Sequence, residues 1–206
     1  MRLNINLTEG KIKRNVFFTS DFHCFHKNVI RFDERPFSSV DEMHIAIENG
    51  WNEVVGPDDI VVYLGDLSFA KREEKEAVNA FVSRLNGSIH FVLGNHDKYD
   101  EIIKNTTFKS VSDYLEVRIT HLVDNVSVET LFCCMHYPIY SWNKSHHGSI
   151  MVHGHCHMNL SDTEFHKTHR IIDVGCMGWN YKPLSFLEVL NEVNSKNLID
   201  VIHHNR

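Results

Sequence analysis

The chain has 206 residues, 42% of them hydrophobic and 23% charged, and a formal net charge of −6. That is the profile of a single globular domain, residues 1–206, long enough to bury a full core. The acidic balance argues against a general nucleic-acid or membrane-surface binder, which would carry a basic face, and no run approaches the ~18 apolar residues of a membrane span.

In chain order, residues 3–7 alternate apolar and polar and predict a strand, with a turn near Gly10. Val16-Phe17-Phe18-Thr19 reads as a short buried strand that runs into Ser20-Asp21-Phe22-His23-Cys24-Phe25-His26. A loop through Arg31 and Arg35-Pro36-Phe37 is expected next. Ser38 or Ser39 then caps a helix over 40–55, with Met43, Ile47, Trp51 and Val54 on its apolar face. Gly56-Pro57-Asp58 is a turn, and 60–64 is a strand with Gly65-Asp66 at its end. Residues 71–85 form an amphipathic helix stopped at Asn86-Gly87. The strand over 89–93 ends in Gly94-Asn95-His96-Asp97, and a short helix is expected near 98–104.

The pattern then changes. Residues 115–119 pair with 126–135 across a turn near Asp124-Asn125, and the second strand delivers His136-Tyr137-Pro138. A polar loop over 141–149 precedes a strand over 150–152, which leads into Gly154-His155-Cys156-His157. A strand over 170–174, a helix over 184–193 and a frayed tail at 203–206 complete the chain. The first half therefore predicts parallel βαβ units and the second half antiparallel pairing, giving a layered α/β sandwich with a mixed sheet. Loops at the carboxyl ends of parallel strands converge on one side, and each unusual polar cluster lies on such a loop.

The count that stands out is 16 histidines. Asp21, His23, Asp66, Asn95, His136, His155 and His157 offer two carboxylates, one amide oxygen and four imidazoles. That is too many donors for one tetrahedral zinc site, but it suits two divalent cations sharing a bridging carboxylate. Two such ions clamp the attacking and leaving oxygens of a displacement at phosphorus, and a water held between them is acidified. Asn95 contributes an oxygen without further negative charge. His96 beside it can protonate a leaving group. The five cysteines, Cys24, Cys133, Cys134, Cys156 and Cys176, are odd in number and lack CxxC spacing, so a reducing cytoplasmic setting is expected rather than a disulfide framework. The N-terminal residues lack a signal peptide's apolar core.

The ordered set Asp21-x-His23, Gly65-Asp66, Gly94-Asn95-His96-Asp97, His136 and Gly154-His155-x-His157 resembles the calcineurin-like metallophosphoesterase superfamily. The motifs span residues 21–157. The Asp-x-His-x-x-His-x-Asn start and the Arg-Pro-Phe segment are similar to small bacterial and phage phosphoesterases. The resemblance implies a four-layer αββα sandwich with mixed sheets and a dinuclear centre. One metal would be held by Asp21, His23 and His157, the other by Asn95, His136 and His155, with Asp66 bridging and His96 catalytic. Mn²⁺ is expected first, with Fe²⁺, Zn²⁺ or Ni²⁺ as alternatives. The chain departs from the phosphoprotein phosphatase pattern Gly-Asp-x-x-Asp-Arg-Gly. Its run is Gly65-Asp66-Leu67-Ser68-Phe69-Ala70, which lacks the second Asp and the phosphate-binding Arg. That disfavours a Ser/Thr protein phosphatase and leaves Asp97 without an assigned role in orienting His96.

Taken singly, these residues have ordinary readings. Asp21 and His23 suit turns and caps, Gly-Asp and Gly-Asn are common turns, and His136 reads as a buried, satisfied imidazole. Only the ordered set outweighs them. His26 and Arg35 are candidate substrate contacts. Trp142, His146 and His147 are balanced between a substrate mouth and a surface loop, Asp173 reads first as a turn residue, and Cys156 as packing. The expected function is hydrolysis of a small phosphodiester, nucleotide-like or a cyclic nucleotide, by a hydroxide bridging two metals with His96 as general acid. A phosphomonoesterase is the close alternative. A nuclease on single-stranded nucleic acid and an inactive scaffold of the same fold are weaker ones. No membrane or extended nucleic-acid partner is expected.

Overall fold

The computed structural model describes residues 1–8, 14–97 and 107–199. The strands in chain order are β1 (Arg2–Asn6), β2 (Val16–Thr19), β3 (Ile60–Tyr63), β4 (Ser88–Val92), β5 (Phe108–Ser112), β6 (Tyr114–Val123), β7 (Val126–Met135), β8 (Ile150–His153), β9 (Ile171–Asp173) and β10 (Leu184–Ser185). The helices are α1 (Lys27–Phe32), α2 (Val40–Val54), α3 (Lys75–Val82), α4 (Glu164–Thr168) and α5 (Phe186–Asn194). The strands form two five-stranded mixed sheets, ordered β10-β2-β3-β4-β5 and β1-β6-β7-β8-β9. In the first, β2 to β5 are parallel and β10 is antiparallel at the β2 edge. In the second, only the β6–β7 hairpin is antiparallel.

Side-chain alternation sorts each strand between two faces. Phe18, Val62, Leu64 and Val92 from one sheet meet Leu115, Val117, Phe132, Cys134 and Val152 from the other, so an apolar core lies between the sheets. Phe18 and Phe132 pack across it with ring centroids 5.1 Å apart. Phe17, Val61, Tyr63 and Phe91 point the other way, onto Met43, Ile47 and Trp51 of α2 and Phe81 and Val82 of α3. Both faces of this sheet are therefore buried, which is why its strands are short, continuous apolar runs. The outer face of the second sheet has thinner cover: Leu131, Cys133, Met151 and Ile171 pack on Trp142 and Phe165. The α5 helix, opened by a reciprocal cap between Ser185 and Glu188, inserts Val189 and Val193 into the inner core.

Several expectations change. The pairing of β7, β8 and β9 is parallel, because the long connections over 136–149 and 154–170 carry the chain back between strands, where a short hairpin could not. The segment after His26, expected as a loop, contains α1, and β5 adds a strand that the sequence reading omits. The helix expected over 71–85 starts as a tight 3₁₀ turn, Arg72–Glu74, and is α-helical only over Lys75–Val82. The expected turn near Gly10, helix near 98–104 and tail at 203–206 lie outside the described residues. Among the described residues, no helix is long and apolar enough to cross a membrane. All five cysteines are free thiols.

Phe132 is fully buried where the two sheets meet. Phe132→Ala should lower the unfolding free energy by about 3–5 kcal/mol in urea titration, the usual cost of emptying a buried phenylalanine site. A loss below about 1 kcal/mol would mean that the sheets do not pack through this residue.

Candidate metal centre

The loops after β2, β3, β4, β7 and β8 meet at one end of the inner core. Backbone bonds stitch them together: Asp21 N donates to Gly65 O at 3.0 Å, His23 N to Asp66 O at 3.0 Å, Gly154 N to His136 O at 3.0 Å and Cys176 N to Ser20 O at 3.1 Å. Asp21, His23, Asp66, His155 and His157 all have positive φ, between +47° and +69°. Non-glycine residues seldom adopt that conformation, and each instance costs energy that the surrounding structure must offset. Here it brings five side chains from three loops toward one another. The glycines permit the close approach. A Cβ at Gly65 would lie 2.5 Å from Gly94 N, and one at Gly154 would lie 2.5 Å from Asp21 Oδ2.

The side chains form two adjoining donor groups, Asp21 with His23 and His157, and Asp66 with His136 and His155, each able to hold a metal ion. His23 Nε2 is 3.1 Å from His157 Nε2, and His136 Nε2 is 3.0 Å from Asn95 Oδ1. Two donors ~2.1 Å from one ion at right angles are ~3 Å apart, so both spacings suit a shared cation. Asp66 Oδ2 lies 3.4 Å from His136 Nε2 and 3.7 Å from His23 Nε2, touching both groups. The tautomers agree with ligation. His136 Nδ1–H donates to Leu64 O at 2.7 Å, and His157 Nδ1–H donates to Asp33 Oδ1 at 2.8 Å. Those acceptors cannot donate, so in the neutral ring each Nε2 keeps a lone pair, as in histidines that bind metals. Burial lowers the pKa of both rings, but the bonds to Asp66 and Asp33 and the nearby carboxylates outweigh it, so a metal bound there would displace a proton.

Electrostatics point the same way. Burial pushes the Asp21 carboxyl up to about 7, against the lowering effect of the Ser20 hydroxyl. Burial drives His23 down to about 3 although Asp66 attracts the proton. Burial also opposes ionisation of Asp66, but the hydrogen bond and charge of His136 outweigh it and hold the carboxyl below its ordinary value. Among the described residues neither Asp21 nor Asp66 forms an ion pair with lysine or arginine. Their ion-pair partners are imidazoles, and the carboxylates of Asp173 and Asp97 stand close to them as well. A divalent cation is the charge such a site fits.

Three further charged groups, outside the two clusters of candidate metal ligands, hold the bends. Asp97 Oδ2 accepts from Asp66 N at 2.7 Å and Gly94 N at 2.8 Å, and its Oδ1 from Leu67 N at 3.1 Å. It clamps the β3 loop to the β4 loop, and burial raises its pKa to about 6 against those hydrogen bonds. Asp173 accepts from Gly175 N at 2.8 Å and Met158 N at 3.0 Å, fixing the turn after His157. Arg35 is the third. The substrate contact expected of it is corrected: its side chain is turned inward and fully covered. It donates to Phe22 O at 2.8 Å, Asp21 O at 2.9 Å and Asp33 Oδ2 at 2.9 Å. The result is a relay from Arg35 through Asp33 to His157. The parts played by Asp33 and Ser20 escape sequence reading, because a lone Asp or Ser in a polar loop has no spacing signature. Asp97, though part of a motif, shows its clamping role only in the structure.

His96 stands at the mouth. Its N–H donates to Asp66 Oδ1 at 2.9 Å, while its ring, 39% exposed, has Nε2 3.9 Å from Asp66 Oδ2. His26 lies at the rim, outside both donor groups, with its ring stacked on Phe69 at 4.3 Å. Trp142 is part of the outer core, with Nε1 donating to Ser149 O at 3.2 Å, so it does not line the mouth.

No model of a known protein family matches the chain. The Gene 66 protein of Mycobacterium phage L5 is 27% identical over 184 residues, 80% of this chain and 87% of that protein. A solved structure, the protein of unknown function AQ665 from Aquifex aeolicus, superposes with a TM-score of 0.65 at 23% identity, covering 87% of this chain and 99% of that one, which shows a common fold. The uncharacterized protein MJ1445 of Methanocaldococcus jannaschii is 31% identical over 192 residues, 92% of this chain and 97% of that protein. At that identity over nearly the full length of both, the chain belongs to the family of MJ1445.

Proposed function

We propose that the protein is a metal-dependent phosphoesterase of the calcineurin-like metallophosphoesterase type, with phosphodiesters as its preferred substrates. The observation that carries this reading is Asp66: one carboxylate oxygen within 3.7 Å of imidazoles from both donor groups, beside a third imidazole, His96, that opens to solvent. The same reading assigns the two mixed sheets and their flanking helices to that superfamily's αββα sandwich.

Asp21, His23 and His157 would hold one divalent cation, and Asn95, His136 and His155 the other, with Asp66 between them. Bound there, such ions stabilise charge developing on phosphoryl oxygens and acidify a water at neutral pH. The residues supply the rest. Asn95 gives a neutral oxygen, which limits the negative charge met by an anionic substrate. Asp33 and Leu64 O hold two imidazoles in the tautomer that points Nε2 inward. His96 is fixed by its backbone bond to Asp66 and its ring is 39% exposed, so its nitrogen can hand a proton to a departing alkoxide. Arg35 is spent on Asp33 and two carbonyls. Without that arginine for a dianionic phosphomonoester, the singly charged diester is the better match. The net charge of −6 disfavours extended nucleic acid.

The first test is turnover of bis-p-nitrophenyl phosphate and p-nitrophenyl phosphate with added Mn²⁺. Metal-stimulated hydrolysis with the diester ahead is expected, and no stimulated turnover of either sinks the enzyme reading. His96→Ala should reduce kcat about 10²–10⁴-fold, the usual worth of a positioned general acid, with metal content unchanged. Loss of the metals in that variant would contradict the division of roles. His155→Ala and His157→Ala should each lower bound metal, measured by elemental analysis, together with activity. Asp33→Asn should weaken metal affinity about 10–100-fold through His157, and an unaltered metal titration would remove Asp33 from the account.

A further inference from the structure

One part of the mouth is not used by the chemistry above. Phe69, on the loop after β3, is 48% exposed, and Phe32, at the end of α1, is 63% exposed. His26 joins them. Its ring is stacked on Phe69 with centroids 4.3 Å apart and interplanar angle 22°, and it meets Phe32 edge-on at 6.1 Å. Phe69 also lies 5.0 Å from the His96 ring, in a T-shaped contact. From His23 the rings run outward without a break: His96 at 5.4 Å, then Phe69, His26 and Phe32.

Large aromatic rings left open beside a polar centre need a reason, since burying either would be favourable. Neither belongs to a core cluster among the described residues, Phe69 lying on a loop and Phe32 at a helix end. Their segments carry Lys27, Arg31 and Lys71, with Asp33, Glu34, Glu73 and Glu74 next along the chain. The Arg31 guanidinium lies over the Phe32 ring, 5.2 Å from its centroid. Open aromatic faces interleaved with cations form the surface that stacks bases and attracts phosphates. The rim adjoins His96, which the proposed chemistry places at the leaving group. Whatever planar group sits on Phe69 is therefore part of the leaving alcohol.

We infer that Phe69 and Phe32, backed by His26, seat the base of a nucleoside leaving group, making the substrate a small nucleotide phosphoester and these two phenylalanines its specificity-determining residues. This rests on the phosphoesterase reading for the position of His96, but the stacking seat has its own readout.

The Mn²⁺-loaded protein is titrated calorimetrically with adenosine 5′-monophosphate and with ribose 5-phosphate, which share the phosphate and sugar and differ by the base. Wild type should bind the nucleotide at least about tenfold more tightly, the lower part of the range for one stacked base. Phe69→Leu, and Phe69→Leu with Phe32→Leu, should bring that ratio close to one, and Phe69→Trp should preserve it. Equal affinity of wild type for the two ligands, or an undiminished preference in the double variant, overturns the inference. Diester turnover without base preference would remove the stacking seat and leave the phosphoesterase reading. Base preference without turnover would do the reverse.

Discussion

Two carboxylates carried into the seam between the sheets set the terms for everything around them. Asp21 and Asp66 are nearly inaccessible, and among the described residues their ion-pair partners are imidazoles, with no lysine or arginine. An ionised carboxylate so placed costs several kcal/mol unless a cation answers it. The protein could have placed an arginine there, and the one at hand, Arg35, reaches the Asp21 backbone oxygen rather than its carboxylate. The negative charge stays available to a ligand. That choice fits the clustered histidines, whose ring nitrogens in the neutral form add donors without adding charge.

Holding such a site open requires a stiff frame, and its parts come from both sheets. The Ser20–Gly175 bridge ties the β2 loop to the β9 loop, and the Asp21 carboxylate accepts from the His155 amide at 3.0 Å across the same seam. Asp97, Asp173 and the Arg35–Asp33 pair each spend a buried charged group on backbone amides, carbonyls or an imidazole. Five left-handed residues in these bends are strained one by one, so the clamps offset local strain with long-range bonds. The inner core, with Phe18 against Phe132, supplies the rigid floor on which the two sets of loops keep their register.

The sequence carried the donor set well and its support poorly, and the reason is physical. Asp21-x-His23 and His155-x-His157 are recognisable because two-residue spacing repeats, and Gly65-Asp66 and Gly94-Asn95 because glycine is needed where chains nearly touch. The two structural groups contain six of those donors, and Asn95 lies against His136. The strands β2, β3, β4 and the β6–β7 hairpin follow from apolar runs and turn residues. What stayed hidden depends on partners far along the chain. Arg35 sits by a short Pro-Phe turn that reads as exposed, yet its guanidinium is drawn inward by Asp33 and two carbonyls. The parallel setting of β8 and β9 follows from where long loops return, which local pattern does not encode. The short α1 has one buried residue, Val29, too few for a helical period to register.

The central claim is that one carboxylate, Asp66, joins two metal sites at the junction of the sheets. The most direct measurement is anomalous scattering from crystals of the Mn²⁺-loaded protein, recorded on either side of the manganese edge. The account predicts two peaks, one among Asp21, His23 and His157 and one among Asn95, His136 and His155, with Asp66 in contact with both. A single peak, or two peaks that Asp66 does not connect, would contradict it.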